Sequence, residues 1–297
     1  MKHLEYYAEA FGKLNREKKR AKWPAEFYHQ SPHKPLLLLS VVDLFAEGLV
    51  KSNLIEITPD LGELFTLYWS RVMPLDQRST MALPFFHLRK DGFWHLVPQP
   101  GKEAFVESVS QIRSIIQLRD CVIGARLDDE LYRLLCTDKA RSVLRCAILD
   151  GNFAPELHPK LLEQALINIK AYEYSKELLE EARKGRPKKV KEEAGLYQQA
   201  VRDQAFRRAV VTAYSHRCAF CGIRMLTHDG HTAVDAAHII PWSETYDDNP
   251  KNGMALCKLC HWSFDEGMLG VSNEYVVLAS PQLTSTPDVW THFNAAS

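Results

Sequence analysis

The sequence predicts an α+β protein in two parts: a mainly helical N-terminal domain with a small hairpin, then a smaller C-terminal module stapled by zinc. Three observations predict this. Much of residues 2–180 repeats apolar residues at helical spacing. The stretch ALPFFHLRKDGFWHLVPQPG instead sets aromatic-rich pieces around Lys90-Asp91-Gly92, which reads as a hairpin. Four of the seven cysteines stand as two CxxC pairs, Cys218/Cys221 and Cys257/Cys260. The expected boundaries are 1–180 for the first domain, 181–195 for a basic linker and 196–297 for the second domain.

In chain order, residues 2–22 carry an apolar stripe of Tyr6, Tyr7, Ala10, Phe11 and Leu14 and read as a helix. Its end is basic, with Lys13, Arg16, Lys18, Lys19, Arg20 and Lys22 against Glu17. That end is either a solvated face or a surface for phosphates. HKPLLLLSVVDLFAEGL is apolar on nearly all sides, so it reads as a central buried helix, with Pro35 in its first turn and Gly48 ending it. Leu61 to Trp69 is a further helix. From Glu107 to about Asp150 helical periodicity returns, and a long helix begins at Pro159. The segment KGRPKKVKEEAG has Gly185, Pro187 and six basic residues between Arg183 and Lys191, the composition of a linker. Arg186, Lys188 and Lys189 there either track phosphates or simply keep the segment solvated. A helix then leads into the first CxxC.

The chain has 297 residues, enough for two domains with cores of their own. At 46% hydrophobic and 25% charged residues it has an ordinary globular composition. Lys plus Arg equal Asp plus Glu, 37 of each, so net charge excludes a uniformly basic protein but permits local basic patches. No apolar run approaches the ~20 residues of a membrane span, and the N-terminus lacks the pattern of a signal peptide. A cytoplasmic location is the default expectation, where thiols stay free or bind metal.

Two CxxC turns can place four thiolates around one tetrahedral zinc, and the 35 residues between them suffice for a small folded insert. Four protein ligands leave no open position, so this zinc is expected to be structural. Cys121, Cys136 and Cys146 lie in apolar helical surroundings and read as core residues.

Between the pairs stand VDAAHIIPW and Asn252-Gly253, and the second pair is followed by His261 and Asp265. This combination resembles the HNH endonuclease family, the zinc-stapled ββα-metal module, from about Arg217 to Leu269. The resemblance implies that His238 is the general base, that Asn252 orders the loop and that His261 binds one divalent metal, Mg²⁺ or Mn²⁺. Asp265 is four residues beyond His261 and shares its face if the segment is helical. Many members carry a metal-binding acid directly before the base, where this chain has Ala237. Asp235 points the same way as Ala237 in a strand, so it either substitutes as a ligand or orients a neighbour. His228 and His231 read as exposed loop residues.

SPHKPLLLLS and LPFFHLRKDGFWHL resemble the sulfur-binding domain of modification-dependent restriction endonucleases, which detects phosphorothioate DNA, over residues 25 to 170. Carried residue by residue, the resemblance places His33 and Pro84 on the binding surface. Leu83 stands where the family has tyrosine, and Phe86 where it has tryptophan. A backbone sulfur is larger and less hydrated than oxygen, so an apolar cup rimmed by cations should read it. Leu83 and Pro84 supply such a cup, with His87 or Arg89 at its rim. The alternative is that HKPLLLL and PFFHL are core.

The expected function is therefore a metal-dependent DNA endonuclease that acts on phosphorothioated double-stranded DNA. Two alternatives stand: an HNH nuclease directed by sequence or by another modification, and an inactive zinc-containing DNA-binding protein. A homodimer is compatible with the resemblance, although no residue pattern specifies one.

Overall fold

The computed structural model describes residues 3–74, 76–77, 79–186, 195–227 and 232–281. Lys188, Lys189, His228, His231 and the C-terminal tail lie outside the described residues. The chain divides into two compact units, one up to Ile169 and the other from Lys170. Among the described residues no helix is long and apolar enough to cross a membrane.

The first unit is mainly helical. It contains α1 (Leu4–Gly12), α2 (His33–Ala46), β1 (Ile55–Glu56), α3 (Pro59–Val72), α4 (Ala82–His87), β2 (Trp94–Pro98), α5 (Glu103–Ser108), α6 (Ile115–Cys121), β3 (Val122–Leu127), α7 (Asp129–Leu135), α8 (Asp138–Asn152) and the start of α9 (His158–Arg183). The strands form one small antiparallel sheet in the order β1-β3-β2. Every residue of α2 from Lys34 to Phe45 is buried, as its apolar residues on nearly all sides predict. It ends where expected: Gly48 takes φ 68°, and the Leu49 N–H reaches back to the Leu44 carbonyl.

Asp43 brings a carboxylate into this core and is fully paired there. It accepts hydrogen bonds from Tyr68 Oη (2.6 Å), Arg145 Nη1 (2.7 Å) and Asn168 Nδ2 (2.7 Å). Burial pushes its pKa up, while Arg145 and these donors pull it down. Such a network ties α2, α3, α8 and α9 to one another with little freedom to slip.

Four expectations need correction. The antiparallel element exists as β2 and β3, but Lys90-Asp91-Gly92 is not its turn: Ala82–His87 is α-helical and Leu88–Asp91 is a 3₁₀ turn. The N-terminal helix stops at Gly12 rather than near residue 22, and at that point α1 crosses α8 backbone to backbone. Residues 107–150 are not helical throughout, since β3 interrupts them. Cys121 is buried, but Cys136 and Cys146 are exposed.

The second unit takes the later part of α9 and then α10 (Leu196–Ala213), β4 (Val234–His238), α11 (Trp242–Thr245), β5 (Gly253–Cys257), α12 (Lys258–Asp265), β6 (Leu269–Val271) and β7 (Val277–Ala279). β4 and β5 pair antiparallel with His238 opposite Gly253, and α12 follows β5 directly. The core joins Ala171 and Leu178 of α9 to Phe206 and Val210 of α10, the two strands and the four cysteines.

The crossing of α1 and α8 gives a direct test. A Cβ at Gly151 would lie 2.3 Å from the Gly12 carbonyl oxygen and 2.4 Å from its Cα. Gly151→Ala should therefore destabilise the first unit by about 1–3 kcal/mol, the usual cost of overpacking. Gly270→Ala, which adds a methyl group into open space, is the control. Urea unfolding checks both; equal midpoints would contradict the close helix contact.

Candidate functional site

The first unit holds a cavity of about 680 Å³ lined by segments far apart in sequence. The basic loop after α1, the start of α2 and the exposed side of α4 all contribute to it. It brings together His33, Leu83, Pro84 and His87, four of the residues singled out from sequence. Because residues 82–87 are helical, Leu83 and His87 stand one turn apart and share a face.

The lining is strongly asymmetric in charge. Arg16, Lys19, Lys22, Lys34, Lys90 and Arg113 face a single acid, Glu17. A chain with balanced charge thus concentrates cations at one concave place, the arrangement that attracts a phosphate backbone. Trp23, Leu83 and Pro84 add apolar surface. Lys34 is fixed by Asp91 Oδ2 (2.5 Å) and the Asn15 carbonyl (2.7 Å). Arg16 is almost fully buried; its Nη1 donates to the Asn152 carbonyl (3.3 Å), while its Nε has no partner. Burial lowers the Arg16 pKa to about 10, still well above neutrality.

His33 is held between two indoles, with ring centroids 5.4 Å from Trp23 and 4.6 Å from Trp69. Its Nδ1 lies 2.8 Å from Ser31 Oγ. Burial, and then the charge of Lys22, lowers its pKa to about 4. His87 is lowered too, by burial first and then by Lys34, Lys90 and Arg89. Both imidazoles are therefore neutral at pH 7 and leave the positive charge to Lys and Arg. Arg89 does not line the cavity: its guanidinium donates to the carbonyls of Val106 and Val109 and lies 3.9 Å over Phe86. Of the two rim candidates, His87 lines the cavity and Arg89 does not.

In the second unit the four cysteines converge, with all four sulfurs within 4.8 Å of one another and Cys221 Sγ 3.8 Å from Cys257 Sγ. A tetrahedral zinc with Zn–S near ~2.3 Å requires sulfurs about 3.8 Å apart, so the donor set fits. Hydrogen bonding with Cys260 pulls the Cys218 thiol down, while the same contact pushes Cys260 up. Four such neighbours cannot all ionise without a cation among them. The first knuckle is fastened to β5 through the Ala219 N–H on the Ala255 carbonyl (2.7 Å).

His238 ends β4. Its ring stacks on Phe206 of α10 with centroids 3.9 Å apart and planes 1° apart. Gly253, opposite it, makes this possible: a Cβ there would meet Val210 at 2.5 Å and Phe206 at 2.9 Å. Asn252 ties the following loop together. Its Oδ1 accepts from the Ile240 N–H (2.9 Å), and its Nδ2 donates to the carbonyls of Ile240 (3.0 Å) and Asp247 (3.3 Å). His261 Nε2 lies 3.7 Å from Asp265 Oδ2 one turn along α12, which extends through Asp265. Asp235 is engaged elsewhere, 2.9 Å from Arg207 Nε. Arg186 pairs with Glu181 (2.7 Å). Among the described residues, the cysteine cluster is the one group of three or more His, Cys, Asp or Glu whose ligand atoms converge this closely.

Sequence reasoning did not single out Trp23, Lys34 and Arg113 in the cavity, or Phe206 and Asp248 beside His238. A signal for Phe206 was present: a glycine after Asn252 at a buried strand start implies something large packed against it.

The first unit thus offers a cation-lined, partly apolar cavity, and the second a four-cysteine ββα module with a histidine at its strand end. Residues 9–168 match the family described as ScoMcrA-like, DNA sulfur-binding domain, and residues 218–272 match HNH endonuclease. The first match spans more than half of the chain, which belongs to the ScoMcrA-like DNA sulfur-binding domain family and carries a C-terminal HNH endonuclease domain. No curated protein matches the chain. In general terms this is the architecture of a modification-dependent DNA endonuclease.

The burial of His33 has a measurable consequence. An unfolded histidine titrates near ~6.5, so as pH falls the unfolded chain takes up the proton before the folded one. Stability present above pH 6.5 is lost on the way to about pH 4. The loss is ~3 kcal/mol for this shift. Urea unfolding of wild type and His33→Gln at pH 7 and pH 4 should show that extra loss only in wild type; parallel pH dependences would contradict a neutral, buried His33.

Proposed function

We propose that the protein is an endonuclease that cleaves double-stranded DNA carrying a phosphorothioate in its backbone, as a restriction activity against modified DNA. The observation that carries this reading is the cavity uniting His33, Leu83, Pro84 and His87 with six lysines and arginines. Phosphates flanking the modification engage the cations, while the weakly hydrated sulfur loses little by leaving water for Leu83, Pro84 and Trp23. A phosphate oxygen at the same place would surrender its hydration without a matching donor.

In the second unit, the four cysteines hold a structural zinc. His238 accepts the proton of the attacking water, for which neutral imidazole is suited near pH 7. Asn252 keeps the loop after β4 in register with β5, which fixes the backbone around His238. His261 and Asp265 hold one divalent cation, Mg²⁺ or Mn²⁺. One or two protein ligands suffice for such an ion, which usually keeps water and takes substrate phosphate oxygens as further ligands. When bound, it polarises the scissile phosphate and stabilises the leaving oxygen. Asp235, paired with Arg207, serves to orient that arginine rather than to bind metal. Each chain carries one such centre, so cutting both strands of a duplex takes two copies or two successive events.

The test is cleavage of two duplexes that differ only in one phosphorothioate, with Mg²⁺ or Mn²⁺ and with His238→Ala as control. The expected result is cutting of the modified duplex at least tenfold faster than the plain one, and none above background by His238→Ala. Equal cutting of both duplexes would overturn the sulfur reading, and undiminished cutting by His238→Ala would overturn the assignment of the base.

A further inference from the structure

The surroundings of His238 contain an acid that the nuclease reading has not used. Asp248 is completely buried. Its Oδ2 faces Arg202 Nε at 3.1 Å and accepts from Tyr174 Oη at 3.5 Å. Its Oδ1 has no hydrogen-bond partner and lies 3.6 Å from His238 Nε2, which is also buried and without a partner. Two orphaned polar atoms therefore face each other across less than one ångström more than a hydrogen bond requires. Buried donors and acceptors are very rarely left unpaired, and closing this gap satisfies both at once.

The rest of the packing leaves the imidazole few alternatives. Phe206 stacks flat against it and fixes the plane of the ring, and Gly253 leaves the space in which Phe206 sits. The other charged groups facing this pair are Arg202, on the far oxygen of Asp248, and Asp203, next to it on α10. Arg202 is itself held 3.7 Å over the Trp242 ring. Asp248 thus has one oxygen taken by Arg202 and one oxygen aimed at His238.

We propose that Asp248 is the positioning residue of the nuclease centre. It accepts the Nε2–H of His238, so the imidazole carries its proton on Nε2 and presents bare Nδ1 to the attacking water. When Nδ1 takes the proton of that water, the resulting imidazolium lies against the Asp248 carboxylate, which stabilises it without taking the proton. This inference rests on the assignment of His238 as base. The acceptor is isolated in sequence, ten residues past the histidine in the stretch YDDNP.

The test uses the full-length chain with ¹⁵N-labelled histidine, His238 being assigned by the signal lost in His238→Ala. Wild type should show the Nε2–H tautomer at His238 near neutral pH, and Asp248→Asn should lose that preference. In single-turnover cleavage Asp248→Asn should be at least tenfold slower, with DNA affinity unchanged. Since Asp248→Asn removes the negative charge that faces buried Arg202, the double variant Asp248→Asn/Arg202→Met is measured beside it and should show the same two effects. An unchanged tautomer, or an unchanged cleavage rate in a folded variant, would overturn the proposal. Cleavage that survives His238→Ala would instead overturn the assignment of the base, while the tautomer would still decide whether Asp248 positions the ring.

Discussion

The convergence of four buried thiols within 4.8 Å is the constraint on which the catalytic half depends. The second unit has little core of its own: part of α9, one face of α10 and a two-stranded sheet. A small module of this kind gains its cohesion from a metal-sized cluster. The cluster fixes the first knuckle, the end of β5 and the first turn of α12 to one point. His261 follows Cys260 directly, and His238 lies across the sheet from Gly253 on the strand that ends in Cys257. Both histidines are thus placed by the same four sulfurs.

The first unit solves a different problem, how a chain of zero net charge addresses a polyanion. It gathers six cations around one cavity, one of them, Lys34, paired with Asp91, and pairs the buried acid Asp43 with Arg145 outside the lining. The two histidines in the lining are kept neutral by burial and by neighbouring cations. They add shape and hydrogen bonding without adding charge. In the proposed function, attraction to nucleic acid comes from the lysines and arginines, and discrimination falls to the less hydrated wall of Trp23, Leu83 and Pro84.

Sequence legibility followed the range of the interactions. The cysteine spacing is a local pattern, and it announced the cluster. The apolar residues on nearly all sides of 36–45 announced a buried helix. Residues 122–127 were missed as a strand because both partners, Trp94–Pro98 and Ile55-Glu56, lie well outside a local window and helical periodicity surrounds them. Lys90-Asp91-Gly92 has the residues of a hairpin turn, and Gly92 does take φ 81°, but it links a helical segment to β2. The relation of Asp248 to His238, and of Trp23 and Arg113 to His33, exists only in the folded chain. The resemblance supplied His33, Pro84, His238 and Asn252; the fold supplied the residues that hold them.

Discrimination of sulfur from oxygen, as proposed, depends on the apolar wall of the cavity. The most direct measurement is the ratio of Kd values for otherwise identical plain and phosphorothioate duplexes, compared between wild type and Leu83→Asp. Wild type should prefer the sulfur duplex by about tenfold or more, equal to ~1.4 kcal/mol, and Leu83→Asp should bring the ratio towards unity. Equal affinity of the wild-type protein for both duplexes would contradict the proposed discrimination.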